Sequence, residues 1–285
     1  MIKRRHDYFE GLFLGKSLID QFPSIVDIAY REFKRRRKVI DIMSKGIVYV
    51  SKETKVLNAA KIMGEKHIGS VVVRGDVDYI GIFSERDLLS RVICPGLPLE
   101  EVEVQRVMSP RPLTIDCEAS IREGARALIK GKGRLIVLDK GMPVGFLSTS
   151  DLVKALPGVE GSELKVKKFM TKSVVTVKPD ISVTEAAKIM CLKRIGSVLL
   201  DQGEGPYAIF TERDLVTKVV ARGFPFDAPL EAYASKPLIT IKSEATIHEA
   251  ALTMALKSIR RLPVVENDKI VGIITARDLV EAYAK

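Results

Sequence analysis

The sequence predicts a mixed α/β (α+β) fold built from four repeats, each with the order strand–helix–strand–strand–helix. A short phrase recurs four times along the 285 residues, at the predicted start of the last helix of each repeat. The four phrases are Gly81–Asp87, Gly145–Asp151, Ala208–Asp214 and Gly272–Asp278. Their final aspartates are 64, 63 and 64 residues apart. A fixed period of this kind indicates an array of equivalent structural units.

The four repeats are themselves a duplicated pair. The final aspartates of repeats one and three are 127 residues apart, and so are those of repeats two and four. Repeats one and three share the motif Ile-Gly-Ser-Val, which begins at Ile68 and Ile195. Repeats two and four instead begin the corresponding strand with Arg134 and Arg261. The predicted functional unit is therefore the pair.

Repeat one shows why each element is predicted. Ile47–Val50 is a short apolar strand, and the apolar spacing from Val56 to Met63 gives a helix with one buried face. Ile68–Val73 and Tyr79–Phe83 are strands on either side of a turn, and the helix Ser84–Val92 ends before a Pro-Gly dipeptide. The other repeats show the same buried helix faces, at Ile121, Ala125 and Leu128, at Val183, Ala187 and Met190, and at Ile247, Ala251 and Met254.

The domain boundaries follow from these repeats. A unit of about 60 residues cannot cover both faces of its sheet, so it must pack on a neighbour. The segment 157–163 is rich in helix breakers and is predicted to link the pairs. The predicted domains are a basic arm (1–38), a first pair (39–156, with repeats 39–95 and 104–156) and a second pair (166–285, with repeats 166–222 and 231–285). Each pair is expected to close its own core.

Composition favours a cytoplasmic protein from a thermophile, of archaeal type. Apolar residues make up 46% of the chain, but none of the apolar runs approaches the ~18 residues that span a bilayer, and the start lacks the features of a secretory signal. Charged residues are abundant and amides are scarce, which is typical of hyperthermophile proteins. Three cysteines (Cys94, Cys117 and Cys191) are expected to be buried small side chains in a reducing cytosol.

Each closing phrase carries a Ser or Thr three residues before its Asp. One interpretation is a capping box, in which the hydroxyl accepts a hydrogen bond from a free backbone N–H. A capped helix start can also bind an anion, so a second interpretation is a ligand site. The Arg before the Asp in repeats one, three and four suits phosphate oxygens (Arg86, Arg213 and Arg277). The Asp itself can accept hydrogen bonds from the two hydroxyls of a ribose.

The order of elements, the pairing and the four phrases resemble the cystathionine-beta-synthase (CBS) domain family over residues 39–285. The resemblance implies a regulatory adenine nucleotide (AMP, ADP or ATP), with the ribose on Asp, the phosphates on Ser/Thr and Arg, and no catalytic cofactor. The implied nucleotide-binding residues are Ser84, Arg86, Asp87, Ser148, Asp151, Thr211, Arg213, Asp214, Thr275, Arg277 and Asp278. The adenine is implied near the strand entries at Ser44, Ser109, Thr171 and Ser235.

Two repeats depart from this pattern. Thr149 and Ser150 replace the Glu-Arg dipeptide in repeat two, which puts phosphate binding there in doubt and leaves an empty site or an adenosyl compound as alternatives. Ala208 replaces glycine in repeat three and is expected to crowd a close backbone approach. We therefore expect two or three occupied sites instead of four.

The sequence favours a sensor over an enzyme. The segment 11–17 resembles a phosphate-binding loop but is one residue short and follows a charged stretch instead of a strand. His6, His67 and His248 are far apart and lack the spacing of metal ligands or of a nucleophile–base pair. We predict neither a metal site nor a catalytic one.

The N-terminal arm carries half of the net charge of +10, because residues 1–38 hold ten Lys/Arg and five Asp/Glu. One interpretation docks the apolar stripe between Phe22 and Phe33 on the first pair and leaves the basic end in solvent. The other is an arm that binds a phosphate backbone; a membrane-surface helix fits less well because the charges cluster at one end. The predicted RNA-binding residues are Lys3, Arg4, Arg5, Arg31, Lys34, Arg35, Arg36, Arg37 and Lys38.

Together these observations predict a non-catalytic adenine-nucleotide-binding protein whose arm docks on RNA. The expected target, by analogy with archaeal proteins made only of CBS domains, is a ribosomal subunit, with inhibition of translation or hibernation when energy is low. The alternative is an energy-sensing regulator of a protein enzyme or transporter that acts in trans without nucleic-acid contact. A homodimer formed through the pairs is compatible with either.

Overall fold

The structure is a computed structural model that describes residues 37–131, 133–156 and 164–284. The helices are α1 (Val39–Ile42), α2 (Val56–Glu65), α3 (Glu85–Asp87), α4 (Val104–Val107), α5 (Ile121–Lys130), α6 (Thr149–Ala155), α7 (Val183–Leu192), α8 (Glu212–Asp214), α9 (Ile247–Lys257) and α10 (Ala276–Ala284). The strands are β1 (Ser44–Lys45), β2 (Tyr49–Ser51), β3 (Ser70–Arg74), β4 (Tyr79–Ser84), β5 (Ser109–Pro110), β6 (Thr114–Asp116), β7 (Arg134–Asp139), β8 (Met142–Ser148), β9 (Thr176–Val177), β10 (Ser197–Asp201), β11 (Pro206–Thr211), β12 (Ile241–Lys242), β13 (Arg261–Glu266) and β14 (Lys269–Thr275).

The predicted repeat is confirmed, with α2 and its counterparts α5, α7 and α9 burying the predicted faces. The predicted first strand of repeat one is observed as β2, two residues later than expected. After α3 and α8 the backbone widens into π-helices at Leu88–Ile93 and Leu215–Val220. The closing helices of repeats two and four, α6 and α10, are ordinary α-helices. Single-turn widening of this kind is rare and is frequent at functional sites.

Each repeat of the first pair gives its first strand to the other repeat. β1 from repeat one pairs with β8 in the sheet β1-β8-β7-β6, and β5 from repeat two pairs with β4 in the sheet β2-β3-β4-β5. In the second pair the exchange is reduced to single bridges, Thr171 with Ile273 and Ser235 with Ile209, beside two three-stranded sheets. A residue from one repeat is therefore placed at the closing phrase of the other.

The helical cores join the two pairs instead of closing within each pair. One core combines Met63 and Phe83 of repeat one with Met190 and Phe210 of repeat three. The second core combines repeats two and four and also buries Val39 of α1. The expectation that each pair closes its own core is therefore wrong for the helices. The reason is that the facing sheets of the first pair bury their inner faces against each other, so the helices on the outer faces need the other pair as a cover.

None of the helices in the described part of the chain is long and apolar enough to cross a membrane. Most of the predicted RNA-binding residues lie outside the described residues: Lys3, Arg4, Arg5, Arg31, Lys34, Arg35 and Arg36. Arg37 is half-buried, and Lys38 is exposed and forms an ion pair with Glu118 of repeat two.

Candidate functional site

All four closing phrases form capping boxes, as the first interpretation predicted. In repeat one the Ser84 hydroxyl donates to Asp87 Oδ2 at 2.5 Å and accepts from the Asp87 backbone N–H. The corresponding hydroxyl–carboxylate distances are 2.6 Å for Ser148–Asp151, 2.6 Å for Thr211–Asp214 and 2.7 Å for Thr275–Asp278. The hydroxyls predicted to contact phosphate are therefore engaged by their own aspartates.

The second carboxylate oxygen faces the strand entry that arrives from the other repeat of the pair. The Ser109 hydroxyl of repeat two donates to Asp87 Oδ1 at 2.9 Å, and the Ser44 hydroxyl of repeat one donates to Asp151 Oδ1 at 2.8 Å. The Ser235 hydroxyl donates to Asp214 Oδ1 at 2.9 Å. The strand exchange thus builds each of these three sites from both members of a pair, and brings the predicted strand entries against the predicted ribose-binding aspartates.

Repeats one and three neutralise their aspartate with a cation four residues later. Lys218 Nζ lies 2.8 Å from Asp214 Oδ1 and Arg91 Nε lies 3.6 Å from Asp87 Oδ1. Both aspartates are 5% exposed. In repeats two and four the position of this cation is taken by Ala155 and Ala282.

The aspartates of repeats two and four are more open. Asp151 and Asp278 are both half-buried. Burial raises the pKa of Asp278 against the opposing effect of the hydrogen bonds from Thr275. These two carboxylates are therefore more exposed than Asp87 and Asp214 and lack a cation four residues later.

A cavity of about 480 Å³ opens beside Asp151. One wall is apolar and comes from the interface between the two sheets of the first pair, with Ile47, Val72 and Phe146. The opposite side is basic and carries Arg134, Arg213, Arg260 and Arg277. Repeat two lacks an arginine in its own closing phrase, but arginines from repeats three and four border its cavity, together with Arg134 of its own strand β7. The cations beside Asp151 thus come from outside the closing phrase of repeat two, and phosphate binding at this repeat stays a prediction.

A larger cavity of about 1060 Å³ lies between Asp87 and Asp278. Its two ends are alike, because each combines a closing phrase with the strand entry from the other repeat: Ser109 near Asp87 and Thr171 near Asp278. Arg134 and Arg260 border this cavity as well as the smaller one. Asp214 borders neither of these two cavities within the described residues.

The three arginines predicted for phosphate binding are paired with glutamates. Arg86 Nε of repeat one lies 2.7 Å from Glu212 Oε1 of repeat three, and Arg213 Nε reciprocally lies 3.2 Å from Glu85 Oε1. Arg277 pairs with Glu281 on the exposed side of α10, at 2.9 Å. The Glu-Arg dipeptides of repeats one and three therefore hold the two pairs together.

We call the charged group at this junction the central cluster. It consists of Glu85, Arg86, Arg134, Glu212, Arg213, Arg260 and Arg261. Burial opposes ionisation of Glu85, but the charges of Arg260, Arg213 and Arg134 outweigh burial and lower its pKa. Desolvation lowers the pKa of Arg134 and of Arg261, which the glutamates oppose. With five arginines and two glutamates, the cluster has an excess of positive charge facing the cavities.

Arg134, Arg260 and Arg261 were not predicted as site residues. Arg134 and Arg261 begin the same strand of repeats two and four, so a charged residue repeated at the start of a buried strand was the available signal. Arg260 bridges two repeats, since its Nη1 lies 2.9 Å from Glu85 Oε2 and its Nε donates to the Ser150 hydroxyl at 3.0 Å. A long-range contact of this kind leaves only a weak trace in a sequence.

The expected crowding at Ala208 does not occur. A Cβ at Gly145 would lie 2.6 Å from Met43 Sδ, which explains the glycine in that closing phrase. In repeat three the residue before the exchanged Ser235 is Ala234 instead of methionine. Ala208 and Ala234 are both buried in the same core. The larger residue on one strand is therefore compensated by a smaller one on its neighbour.

The histidines and cysteines are the remaining candidates from the sequence. Among the described residues, none of the His, Cys, Asp and Glu side chains form a group suited to a metal ion. Cys117 is buried as expected, but Cys191 is half-buried and Cys94 is exposed, so the expectation of three buried thiols is wrong.

The comparisons with known proteins agree with the repeat architecture. The family model of the CBS domain matches residues 39–93, 104–158, 166–221 and 230–285. The crystal structure of protein MJ1225 from Methanocaldococcus jannaschii has a TM-score of 0.73 at 18% identity, covering 87% of this chain and 100% of that one. A conserved protein of Pyrococcus horikoshii has a TM-score of 0.60 at 20% identity, covering 86% of this chain and 99% of that one.

Sequence relatives come from archaea among other organisms. Protein MK0525 of Methanopyrus kandleri is 36% identical over 121 residues, which is 41% of this chain and 62% of that protein. The "33.4 kDa protein in ribosomal RNA operon" of Thermofilum pendens is 26% identical over 262 residues, which is 82% of this chain and 87% of that protein. The match thus spans less than two thirds of the first relative and most of the second. With four matched repeats that fill most of its length, this chain belongs to the CBS domain family, whose members commonly bind adenosine-containing ligands as regulatory modules.

Proposed function

We propose that this chain is a non-catalytic regulatory protein that binds adenine nucleotides in the two cavities, with Asp151 and Asp278 as the ribose acceptors. The observation that carries the proposal is the contrast between these half-buried carboxylates and the cation-paired Asp87 and Asp214. A carboxylate that already holds an ammonium or guanidinium group must give up that partner before it can accept a diol. The open carboxylates do not carry this cost.

The cavity beside Asp151 has the three surfaces that a nucleotide requires. Ile47, Val72 and Phe146 offer an apolar wall for a base. Asp151 lies in the same cavity as an acceptor for ribose hydroxyls, and Arg134 and Arg260 lie within it as donors for phosphate oxygens. The excess of arginine over glutamate at this junction favours AMP, ADP or ATP over an uncharged adenosyl compound.

Calorimetric titration of the whole chain with AMP and ATP tests this assignment. Asp151→Asn should weaken binding by about 1–3 kcal/mol at one site, because an unsatisfied buried partner is left opposite the ribose. Asp214→Asn serves as the matched control, since it alters the same motif in a repeat whose aspartate is already paired with Lys218. Replacing AMP by its 2′-deoxy form should reproduce the loss. Equal loss in both variants, or equal affinity for deoxy-AMP, would remove the assignment.

The macromolecular target is proposed separately from the nucleotide sites. The support for RNA, and for a ribosomal subunit in particular, is the charge of residues 1–38, and the T. pendens relative takes its name from a ribosomal RNA operon. Replacing Arg35, Arg36 and Arg37 by Glu should abolish co-sedimentation with ribosomal subunits at low salt. Each lost phosphate contact should also flatten the salt dependence by about 0.7–0.9 in the slope of log K against log salt. Unchanged co-sedimentation would favour the alternative, a sensor that regulates a protein enzyme or transporter in trans.

A further inference from the structure

Two cysteines meet at the interface between the first and second pairs. Cys94 follows the π-helix of repeat one and is exposed, whereas Cys191 lies in α7 of repeat three and is half-buried. They are 97 positions apart in the sequence, and the predicted linker 157–163 lies between them. Neither belongs to a closing phrase or borders either cavity described above.

One backbone oxygen fixes the proximity of the two residues. The carbonyl oxygen of Leu89 accepts the backbone N–H of Cys94 at 2.9 Å and the thiol of Cys191 at 3.5 Å. Burial, and then the neighbouring Cys94 thiol, raise the pKa of Cys191 to about 12. Both cysteines are therefore held at the same carbonyl oxygen, where helices of the two pairs pack together.

We propose that Cys94 and Cys191 are a redox modification site, at which a disulfide joins the two pairs covalently. The oxidant is a low-molecular-weight disulfide. The Cys94 thiolate attacks one of its sulfurs, forms a mixed disulfide and releases one small thiol. The Cys191 sulfur then attacks the Cys94 sulfur while losing its proton, and the second small thiol leaves. Two protein thiols are oxidised and one small disulfide is reduced to two thiols.

The roles of the two residues follow from their surroundings. The attacking sulfur must be reached by the oxidant, which fits exposed Cys94. The resolving sulfur needs only to reach its neighbour, which fits half-buried Cys191. A disulfide inside a cell is unusual for mesophiles but common in hyperthermophilic archaea, and the charged, amide-poor composition of this chain is of that type. The bond would close a long loop and so restrict the unfolded chain.

Oxidation of the full-length protein with glutathione disulfide, followed by alkylation under denaturing conditions, tests the proposal. Intact-mass analysis should show the loss of two hydrogen atoms, and a protease digest should give one peptide pair joined through Cys94 and Cys191. Cys94→Ser and Cys191→Ser should each abolish the linked pair. Cys117→Ser is the matched control and should retain it, because Cys117 is buried in the core of repeats two and four.

A second readout uses the position of the bond. A protease site inserted within residues 157–163 of the whole chain should yield two fragments that migrate together on a denaturing gel without reductant and separate when reductant is added. The oxidised protein should also unfold at a temperature higher by roughly 5–10 °C than the reduced protein. Fragments that separate without reductant, a Cys94–glutathione adduct as the end product, or a link that survives Cys191→Ser would each overturn the proposal.

Discussion

Repeats one and three and repeats two and four share the same closing phrase but use it differently. In repeats one and three the Glu-Arg dipeptides form reciprocal ion pairs between the first and second pairs, and the aspartate is buried beside its own cation. In repeats two and four the aspartate has an alanine in place of that cation and is half-buried instead of buried. Asp151 borders the smaller cavity, and Asp278 shares the larger one with Asp87 of repeat one. The difference teaches that a motif reports a local conformation, the capped helix start, while the residues around it decide whether the site is structural or open to a ligand.

The division has a physical reason in the arrangement of the pairs. Repeats one and three meet at the centre, where α3 and α8 face each other. The charged side chains at the start of these helices therefore lie close enough to form ion pairs between the two pairs. Repeats two and four supply arginines to the same junction from strands β7 and β13. Repeats one and three thus fix the geometry of the junction, and repeats two and four leave their carboxylates available beside it.

The largest effect is expected from Glu85→Gln, which tests the structural half of the comparison. Glu85 is 3% exposed and pairs with Arg213 and Arg260, so its removal leaves buried positive charge without a counter-ion. We expect a loss of roughly 2–4 kcal/mol in the free energy of unfolding, at the lower end of this range if the partly solvated arginines rehydrate. Urea denaturation at pH 7 measures it.

The stabilisation that Glu85 provides should depend on pH. The pKa of Glu85 is lowered in the folded protein, so its stabilisation is fully present above the ordinary value of 4.5 and is lost as the pH falls through the lowered value. The difference in the free energy of unfolding between wild type and Glu85→Gln should therefore be constant from neutral pH to about 4.5 and should decrease below that pH. Glu281→Gln is the control, because its pair with Arg277 is exposed and should contribute less than about 1 kcal/mol. Equal losses in the two variants would contradict the structural role of Glu85.

Much of this fold could be predicted because the same elements occur in each of the four repeats. The buried helix faces, the capping boxes and the order of strands are local properties, and a local property repeats wherever the sequence does. The packing of the pairs could not be predicted this way. The contact between Arg213 and Glu85 joins residues 128 positions apart, and the core from Met63 to Met190 joins different pairs. A pattern within one repeat does not say which other repeat covers it.

The same limit applies to the candidate site. The aspartates and the strand entries were both identifiable from the sequence, but the strand exchange that joins Ser44 to Asp151 was not. The closing phrase of repeat two lacks an arginine, and this absence was the reason to doubt phosphate binding there. The structure instead provides arginines from Arg134, Arg213 and Arg260, each of which stands outside that closing phrase.

The next largest effect is expected from Lys218→Ala, which turns a repeat of the first kind into one of the second kind. Lys218 holds Asp214 Oδ1 at 2.8 Å and the Ser235 hydroxyl at 2.9 Å, so its removal leaves the carboxylate without a cation and opens space at the exchanged strand. The hydrogen bonds from Thr211 and Ser235 to Asp214 remain, as the corresponding bonds do at Asp151. We expect one additional AMP site in calorimetric titration, with an affinity gain of at least about tenfold at Asp214, or 1.4 kcal/mol. Lys236→Ala, which removes an exposed lysine paired with Glu231, should add none. An unchanged stoichiometry with a stable variant would show that the cation is not what closes this site.

The smallest expected effect is a pH dependence of AMP affinity that distinguishes Asp278 from Asp151. Burial raises the pKa of Asp278, so the ligand-free protein holds a proton there at a pH above the ordinary aspartate value of about 3.9. A ribose diol is bound by the ionised carboxylate, so binding must release that proton. AMP affinity at Asp278 should therefore fall as the pH drops through the raised pKa, by up to about tenfold per pH unit below it, while the unliganded protein gains stability over the same range. Titrations from pH 7 to pH 4 in two buffers of different ionisation enthalpy would detect the proton, and Asp278→Asn should remove this phase while leaving the Asp151 site in place. A pH-independent affinity at Asp278 would mean that its carboxylate does not accept the ribose, and repeat two alone would then hold the open site.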